Sequence, residues 1–137
     1  MGGTCRCLAT ESPVHSDPWR DNPCTLRVIL GPRDDWVAGA ANLLRTNWTV
    51  STRADRVGIR LEGHSLAREP AYKDRELPSE GTVRGAIQVP PDGQAVLFGP
   101  DHPLTGGYPV VAVVIDADLD ATAQLRPGRL VCFRPGG

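Results

Sequence analysis

The polar residues best suited to chemistry gather in one segment, from residue 79 to residue 109. Glu80 lies in a Ser-Glu-Gly turn, where it could act as a general base, anchor a ligand amide or only shape the turn. Asp101 and His102 are neighbours, and His102 is the one histidine that stands in a plausible site. We therefore take Glu80, Asp101 and His102 as the candidate catalytic residues.

Three charged residues further upstream share one face of a predicted strand. Arg56, Arg60 and Glu62 are separated by four and by two residues, which fits the period of two along a strand. An arginine fork can hold a carboxylate or a bicarbonate-like anion through two hydrogen bonds. The alternative is a solvated sheet face on which Arg60 and Glu62 form a weak ion pair. Both interpretations stay open, and all three residues are candidate substrate-binding residues.

Gln88 places an uncharged amide on an otherwise apolar strand, so its side chain needs a hydrogen-bond partner. It could bind an amide-bearing substrate, or it could tie down the Pro90-Pro91 turn that follows. Asp92, in the same turn, has the position of an Asx-type turn former.

The Thr105-Gly106-Gly107 turn could expose consecutive backbone N–H groups as an anion nest. Alternatively, the glycine pair could supply a positive φ ahead of a buried strand. Tyr108 follows, where its hydroxyl could bind a ligand or its ring could simply pack. These four residues and Gln88 complete the candidate substrate-binding set.

The elements that must position these residues are short apolar runs separated by Gly/Pro turns, a pattern typical of strands joined by tight turns. Two stretches, 34–44 and 118–125, have the apolar spacing and acidic starts of short helices. The run 110–115 is apolar on both faces and is predicted to be the most buried strand. Together these elements predict a mainly β fold, a closed or nearly closed β-barrel with two short helices. Strands are predicted at 25–30, 48–51, 57–62, 82–89, 94–98, 108–115 and 129–133, with a polar surface loop at 64–78.

Composition limits the classes of protein that this chain can belong to. Its 137 residues fit one domain. We predict that residues 1–25 form a poorly ordered tail or linker and that residues 26–137 form the folded unit. With 15 basic and 16 acidic residues, the net charge of -1 gives no footprint for nucleic acid or an anionic membrane. No apolar run approaches the ~20 residues that span a bilayer, and no signal-peptide core is present. A cytoplasmic protein is expected.

The four cysteines predict neither a zinc site nor a disulfide. Cys5 and Cys7 form a C-x-C pair, and no second pair completes a metal site with them or with Cys24. Cys132 lies within an apolar strand, where an ordinary buried cysteine is expected. We predict no metal site.

Four motifs stand out along this chain: D-R-V-G-I-R-L-E-G at 55–63, S-E-G at 79–81, G-A-I-Q-V-P-P-D-G-Q at 85–94 and D-H-P-L-T-G-G-Y-P at 101–109. They resemble the signature segments of the biotin-dependent carboxyltransferase family, and the likeness runs in order from about residue 26 to residue 133. That family includes allophanate hydrolase subunit 2, the C subunit of 5-oxoprolinase and an antagonist of a sporulation kinase inhibitor.

The resemblance implies a cyclophilin-like barrel and only part of the family's architecture. Family members are about twice this length, so the chain is expected to be the C-terminal lobe alone. Its partners would be the missing N-terminal lobe and the family's other barrel subunit, which resembles the kinase inhibitor (subunit 1). By this reasoning the isolated chain is inactive.

Three functions follow from the resemblance. The favoured one is a subunit lobe of an ATP-dependent amidohydrolase of the 5-oxoprolinase type, which helps to enclose a small lactam or amide. One alternative is the carboxyltransferase lobe of a urea carboxylase or allophanate hydrolase system, and another is a non-enzymatic antagonist of a kinase inhibitor. No cofactor is expected on this chain; ATP, or biotin in the alternative, would be used by partner subunits.

Overall fold

The protein is described by a computed structural model over residues 23–72 and 75–136. Within those ranges the regular structure consists of nine strands, one α-helix and four 3-10 turns. The strands are β1 (Cys24–Leu30), β2 (Trp48–Val50), β3 (Gly58–Glu62), β4 (Glu80–Gly81), β5 (Ala86–Gln88), β6 (Val96–Phe98), β7 (Thr105–Gly106), β8 (Val110–Val114) and β9 (Leu130–Pro135), and the helix α1 spans Leu119–Thr122.

Seven of the strands close into a barrel in the order β1-β8-β5-β6-β3-β2-β9. Neighbouring strands are antiparallel except β1 and β9, which complete the barrel as a parallel pair. Leu26 on β1 lies opposite Phe133 on β9, and both side chains are fully buried in the core. The predicted mainly β closed barrel is therefore confirmed.

One row of side chains on the outer face of β3, β6 and β5 contains two of the candidate site residues, Arg60 and Gln88. Arg60 pairs with Val96, and Val96 pairs with Gln88. The residues on either side of each of them belong to the barrel core, so these three project outward. Neighbouring strands lie about 4.8 Å apart, which separates Arg60 from Gln88 by about 10 Å along the row.

A two-stranded ribbon formed by β4 and β7 lies against this outer face. Glu80 is paired with Gly106, and Gly81 with Thr105. Gly106 approaches the side chain of Gln88 so closely that Gln88 is buried although it faces away from the core. The ribbon and the barrel thus enclose polar groups between them.

The predicted helix over 34–44 is wrong. Two 3-10 turns, Asp34–Trp36 and Ala40–Leu44, occupy this range instead. Between them Val37 is extended and forms a bridge with Arg68, and Gly39 has a φ of 70° in the left-handed region. Both features interrupt helical hydrogen bonding. The helix predicted over 118–125 is present but shorter, as α1. The described residues therefore contain one short helix where two were predicted.

Three predicted elements differ from those observed. The strand predicted over 82–89 shortens to β5, because Gly85 has a φ of 91° and turns the chain. Val113 is only half-buried, since it lies opposite the exposed Ile29, whereas every residue of β5 is buried. The predicted surface loop over 64–78 contains Leu66, which is part of the core.

The cysteine prediction also needs correction. Cys132 is buried and disulfide-bonded, so it is not the ordinary buried cysteine that its local pattern indicated. A disulfide depends on which segments the fold brings together, and a local pattern does not contain that information. Cys24 is free among the described residues, and its burial raises its pKa. Cys5, Cys7 and most of the predicted tail lie outside the described residues.

Within the described ranges, no helix has the length and apolar character needed to cross a membrane.

Candidate functional site

The candidate site is built around Glu80 on the ribbon. Its carboxylate accepts a hydrogen bond from Nη2 of Arg33 at 2.5 Å and a second one from Nε of Arg33 at 3.4 Å. The backbone N–H of Arg33 donates to the carbonyl of Val110 at 2.9 Å, which fixes the arginine beside β8. The Arg33 guanidinium also lies 5.8 Å from the centre of the Trp36 ring. These contacts hold the ion pair in one place.

The Arg33 guanidinium lowers the pKa of the Glu80 carboxyl through its hydrogen bonds, while partial burial opposes this effect. Glu80 is therefore a carboxylate over the physiological pH range. A carboxylate with a lowered pKa is a weak base but a good acceptor for N–H groups. Of the three roles open to Glu80 on sequence grounds, the ion pair makes the general base the poorest fit, and the ligand anchor and the turn residue stay predictions.

Gln88 shares this site because of its contact with the ribbon. A Cβ built on Gly106 would come within 2.9 Å of Nε2 of Gln88. Glu80 lies directly opposite Gly106, and opposed residues of an antiparallel pair project to the same face. The Glu80 carboxylate and the Gln88 amide therefore lie on the same side of the ribbon.

Gly106 and Gly107 do not supply a positive φ, so that interpretation of the glycine pair is excluded. Thr105 and Gly106 form β7, and the structure gives the glycine at 106 a different role, the close approach to Gln88. A Cβ added to Gly107 would lie 3.8 Å from the carbonyl oxygen of Leu77, which is an ordinary van der Waals distance.

His102 is oriented by the segment that leads into the ribbon. Its Nδ1 lies 2.6 Å from the carbonyl oxygen of Pro103 and 3.2 Å from Oγ1 of Thr82, which itself donates to the same carbonyl. Because a carbonyl only accepts, these contacts place the proton on Nδ1 and leave the lone pair of the neutral ring on Nε2. The imidazole also stacks on the ring of Phe98, with the ring centres 5.9 Å apart.

Asp101 pairs with Arg56, while its neighbour His102 contacts Thr82 and Pro103. Its carboxylate accepts a hydrogen bond from Nε of Arg56 at 2.8 Å, and both side chains are largely exposed. The ion pair lies outside the Glu80 site, so the structure separates two candidates, Asp101 and Arg56, from the others.

Arg60 lies at the opposite end of the outer row from Gln88. Its Nη1 donates to Oε1 of Gln94 at 3.2 Å and to Oδ2 of Asp92 at 3.4 Å. Asp92 also accepts the backbone N–H of Gln94 at 2.9 Å, which confirms the predicted Asx-type turn. Glu62, two residues along the same strand face, is exposed.

The structure therefore brings together four of the sequence-derived candidates, keeps three more in or beside the ribbon, and separates Arg56 and Asp101 from them. Glu80, Gly106 and Gln88 form the centre, and His102 adjoins them through Thr82, which precedes β5 and contacts the ribbon loop. Arg60 approaches along the outer row. Thr105, Gly107 and Tyr108 lie in or beside the ribbon, and Tyr108 is 43% exposed.

Two residues of the site, Arg33 and Thr82, were missed from the sequence. Arg33 lies 47 residues before its partner Glu80, in a turn with no motif of its own. Thr82 directly follows Glu80 and Gly81, and its hydroxyl was not among the candidates. A partly buried carboxylate needs a cation as a partner. That requirement of Glu80 is the signal that could have pointed to an unassigned arginine.

The arrangement is suited to a planar amide. A charged carboxylate accepts amide N–H groups, and a primary amide such as that of Gln88 offers both a donor and an acceptor. Among the described residues, no group of three or more His, Cys, Asp or Glu side chains is placed to hold a metal ion.

Fold and site together define a closed-barrel β domain with polar side chains between a two-stranded ribbon and the outer face of the barrel. The family model of the carboxyltransferase domain, subdomain A and B, matches residues 4–135. The chain belongs to this carboxyltransferase domain family.

Two curated relatives carry the same name. The chain is 42% identical over 89 residues to the 5-oxoprolinase C subunit of Haemophilus influenzae and 40% identical over 89 residues to that of Escherichia coli. Each alignment covers 65% of this chain and 28% of the relative, so the chain spans well under a third of their length.

Solved structures show the same barrel. TTHA0988 superposes with a TM-score of 0.69 at 32% identity, over 93% of this chain and 24% of that protein. The urea carboxylase of Kluyveromyces lactis superposes with a TM-score of 0.76 at 26% identity, over 84% of this chain and 11% of that enzyme.

Proposed function

We propose that this chain is the C-terminal lobe of a subunit of a 5-oxoprolinase-type amidohydrolase, in which it helps to enclose a lactam or amide substrate. The observation that carries the proposal is the 40–42% identity to two 5-oxoprolinase C subunits. Partner subunits supply the remaining walls of the site and use the ATP. The isolated chain does not turn over substrate.

The geometry of the Glu80 site supports this role. The carboxylate of Glu80, held charged by Arg33, accepts the N–H of a cyclic amide. The amide of Gln88, on the same side of the ribbon, donates to the carbonyl of that ligand. Preorganised groups of this kind orient a substrate without reorganisation at the moment of reaction.

Reconstitution tests the proposal. The purified chain is combined with the partner subunits of a 5-oxoprolinase and with the N-terminal lobe, and ATP hydrolysis that depends on 5-oxoproline is measured. We expect activity only in the complete mixture, and we expect Glu80→Gln and Gln88→Leu to reduce it. Arg45→Gln, at an exposed position, serves as the control. Turnover by the chain alone would show that it is not a dependent lobe.

A second candidate is a carboxyltransferase lobe, favoured by the superposition on urea carboxylase at a TM-score of 0.76. The same donors and acceptors would then hold the amide group of urea. Replacing 5-oxoproline by urea, and the ATP-using partner by a biotin carboxylase with its biotinylated carrier, separates the two functions. Urea-dependent carboxylation without 5-oxoproline-dependent ATP hydrolysis would favour the second candidate.

A further inference from the structure

A cavity of about 320 Å³ opens at the end of the barrel where β6 meets α1. Three arginines line it, Arg56, Arg84 and Arg126, and we call it the arginine pocket. Its apolar lining comes mainly from Ile59, Leu97, Phe98 and Leu125.

The charges in the arginine pocket are unbalanced. Asp55 is the one carboxylate in its lining, and its Oδ1 already accepts the backbone N–H groups of Val57 at 2.9 Å and Gly58 at 3.1 Å. Arg56 is paired with Asp101. Among the residues that the structure describes, Arg84 and Arg126 form no ion pair.

Arg84 also has an unused donor. Its Nε is buried and has no hydrogen-bond partner, and its Nη2 makes only a long contact of 3.5 Å with the carbonyl of Leu119. A buried donor left without an acceptor is costly and rare in folded proteins. Nε and one terminal nitrogen of a guanidinium form the fork that a carboxylate fills with both oxygens.

We propose that the arginine pocket binds a small organic carboxylate between Arg84 and Arg126. The carboxylate accepts a hydrogen bond from the buried Nε of Arg84. The exposed Arg126, which also lines the pocket, provides a second positive charge for it. The apolar body of the ligand packs on Ile59 and Leu125, which line the pocket and keep a little exposed surface. The volume is near the lower limit for small-molecule sites, which favours a small ligand.

The apolar lining favours an organic carboxylate over inorganic phosphate, because phosphate has no apolar surface to pack against that lining. The inference does not depend on the proposed function, since the arginine pocket and the Glu80 site share no residue.

The test is a titration of the purified 137-residue chain with butyrate, butyramide and inorganic phosphate, followed by calorimetry and by backbone amide NMR shifts. We expect butyrate to bind and to shift the amides of Thr122 and Ala123, which line the pocket, more than that of Gly106. Butyramide, the neutral isostere, should not bind, and phosphate should bind more weakly. Equal binding of butyramide, or tighter binding of phosphate, would overturn the assignment.

Substitutions locate the site. Arg84→Gln and Arg126→Gln should each weaken butyrate binding roughly tenfold or more, the loss expected for one charge-assisted contact. Arg126 is exposed, so its variant stays informative even if Arg84→Gln fails to fold. Asp101→Asn should strengthen binding, because it releases Arg56 from its ion pair. Arg45→Gln should leave the affinity unchanged, and full butyrate affinity in Arg126→Gln would overturn the proposal.

Discussion

Gly106 lies so close to the Gln88 amide that a Cβ at position 106 would come within 2.9 Å of Nε2. The nearest atom is the end of a flexible side chain, so Gly106→Ala should displace Gln88 rather than unfold the protein. We expect reconstituted activity to fall while the melting temperature changes by only a few degrees. The paired measurement is kcat/KM and thermal unfolding of the same preparation.

Gly81→Ala is the matched control, because Gly81 lies in the same ribbon and a Cβ there would meet nothing within 4 Å. Equal losses of activity in the two variants would mean that the ribbon tolerates no side chain anywhere, and the specific role of Gln88 would be lost.

Arg60→Met should lower activity without lowering stability much. The substitution keeps much of the aliphatic stem but removes the charge and all five N–H donors. If Arg60 binds an anionic group of the substrate, kcat/KM in the reconstituted complex should fall by an amount equivalent to about 2–4 kcal/mol. Its partly exposed contacts with Asp92 and Gln94 should contribute only about 0–1 kcal/mol to stability. Full activity combined with a large drop in melting temperature would make Arg60 a structural residue.

The Arg33–Glu80 ion pair predicts a pH dependence of stability. The pKa of Glu80 is lowered in the folded protein, so the pair stabilises it above the carboxyl's unfolded pKa. That contribution is lost as the pH falls through the lower folded pKa. We therefore expect Glu80→Gln to reduce the free energy of unfolding near neutral pH and to differ little from the wild type at strongly acidic pH.

Urea unfolding at a series of pH values measures this difference. Glu62→Gln is the control, since Glu62 is exposed and forms no ion pair among the described residues. A Glu80→Gln deficit that stays constant from neutral to acidic pH would show that the loss comes from packing rather than charge.

Leu97→Ala should be strongly destabilising. Leu97 is fully buried in the barrel core, and removing a buried leucine side chain costs about 2–5 kcal/mol. Leu104→Ala is the matched control because Leu104 is 83% exposed, and its effect should lie within about 0.5 kcal/mol of zero. Chemical denaturation of both variants checks the pair, and a stable Leu97→Ala would mean that the core is placed wrongly.

Sequence patterns alone determined the class of fold and most of the strands. Alternation of apolar residues predicted strands with one buried face, and the core contains Leu26 and Val28 of β1 and Ile59 and Leu61 of β3. Val57, just before β3, is exposed. Such a pattern is reliable because side chains on a strand alternate between two faces whatever the rest of the chain does. The turn chemistry of Asp92 could be predicted for the same reason, since an Asx turn involves only residues two positions apart.

Tertiary structure decided how the candidate site is assembled. Asp101 and His102 are adjacent in sequence, yet Asp101 pairs with Arg56 and His102 with Thr82, because a turn closed by the His102 N–H and the Gly99 carbonyl directs the two side chains to different neighbours. Glu80 acquires its cation from Arg33, 47 residues away. Partners at such separations are fixed by strand order and register around the barrel, and local sequence patterns carry no record of which distant segments will meet.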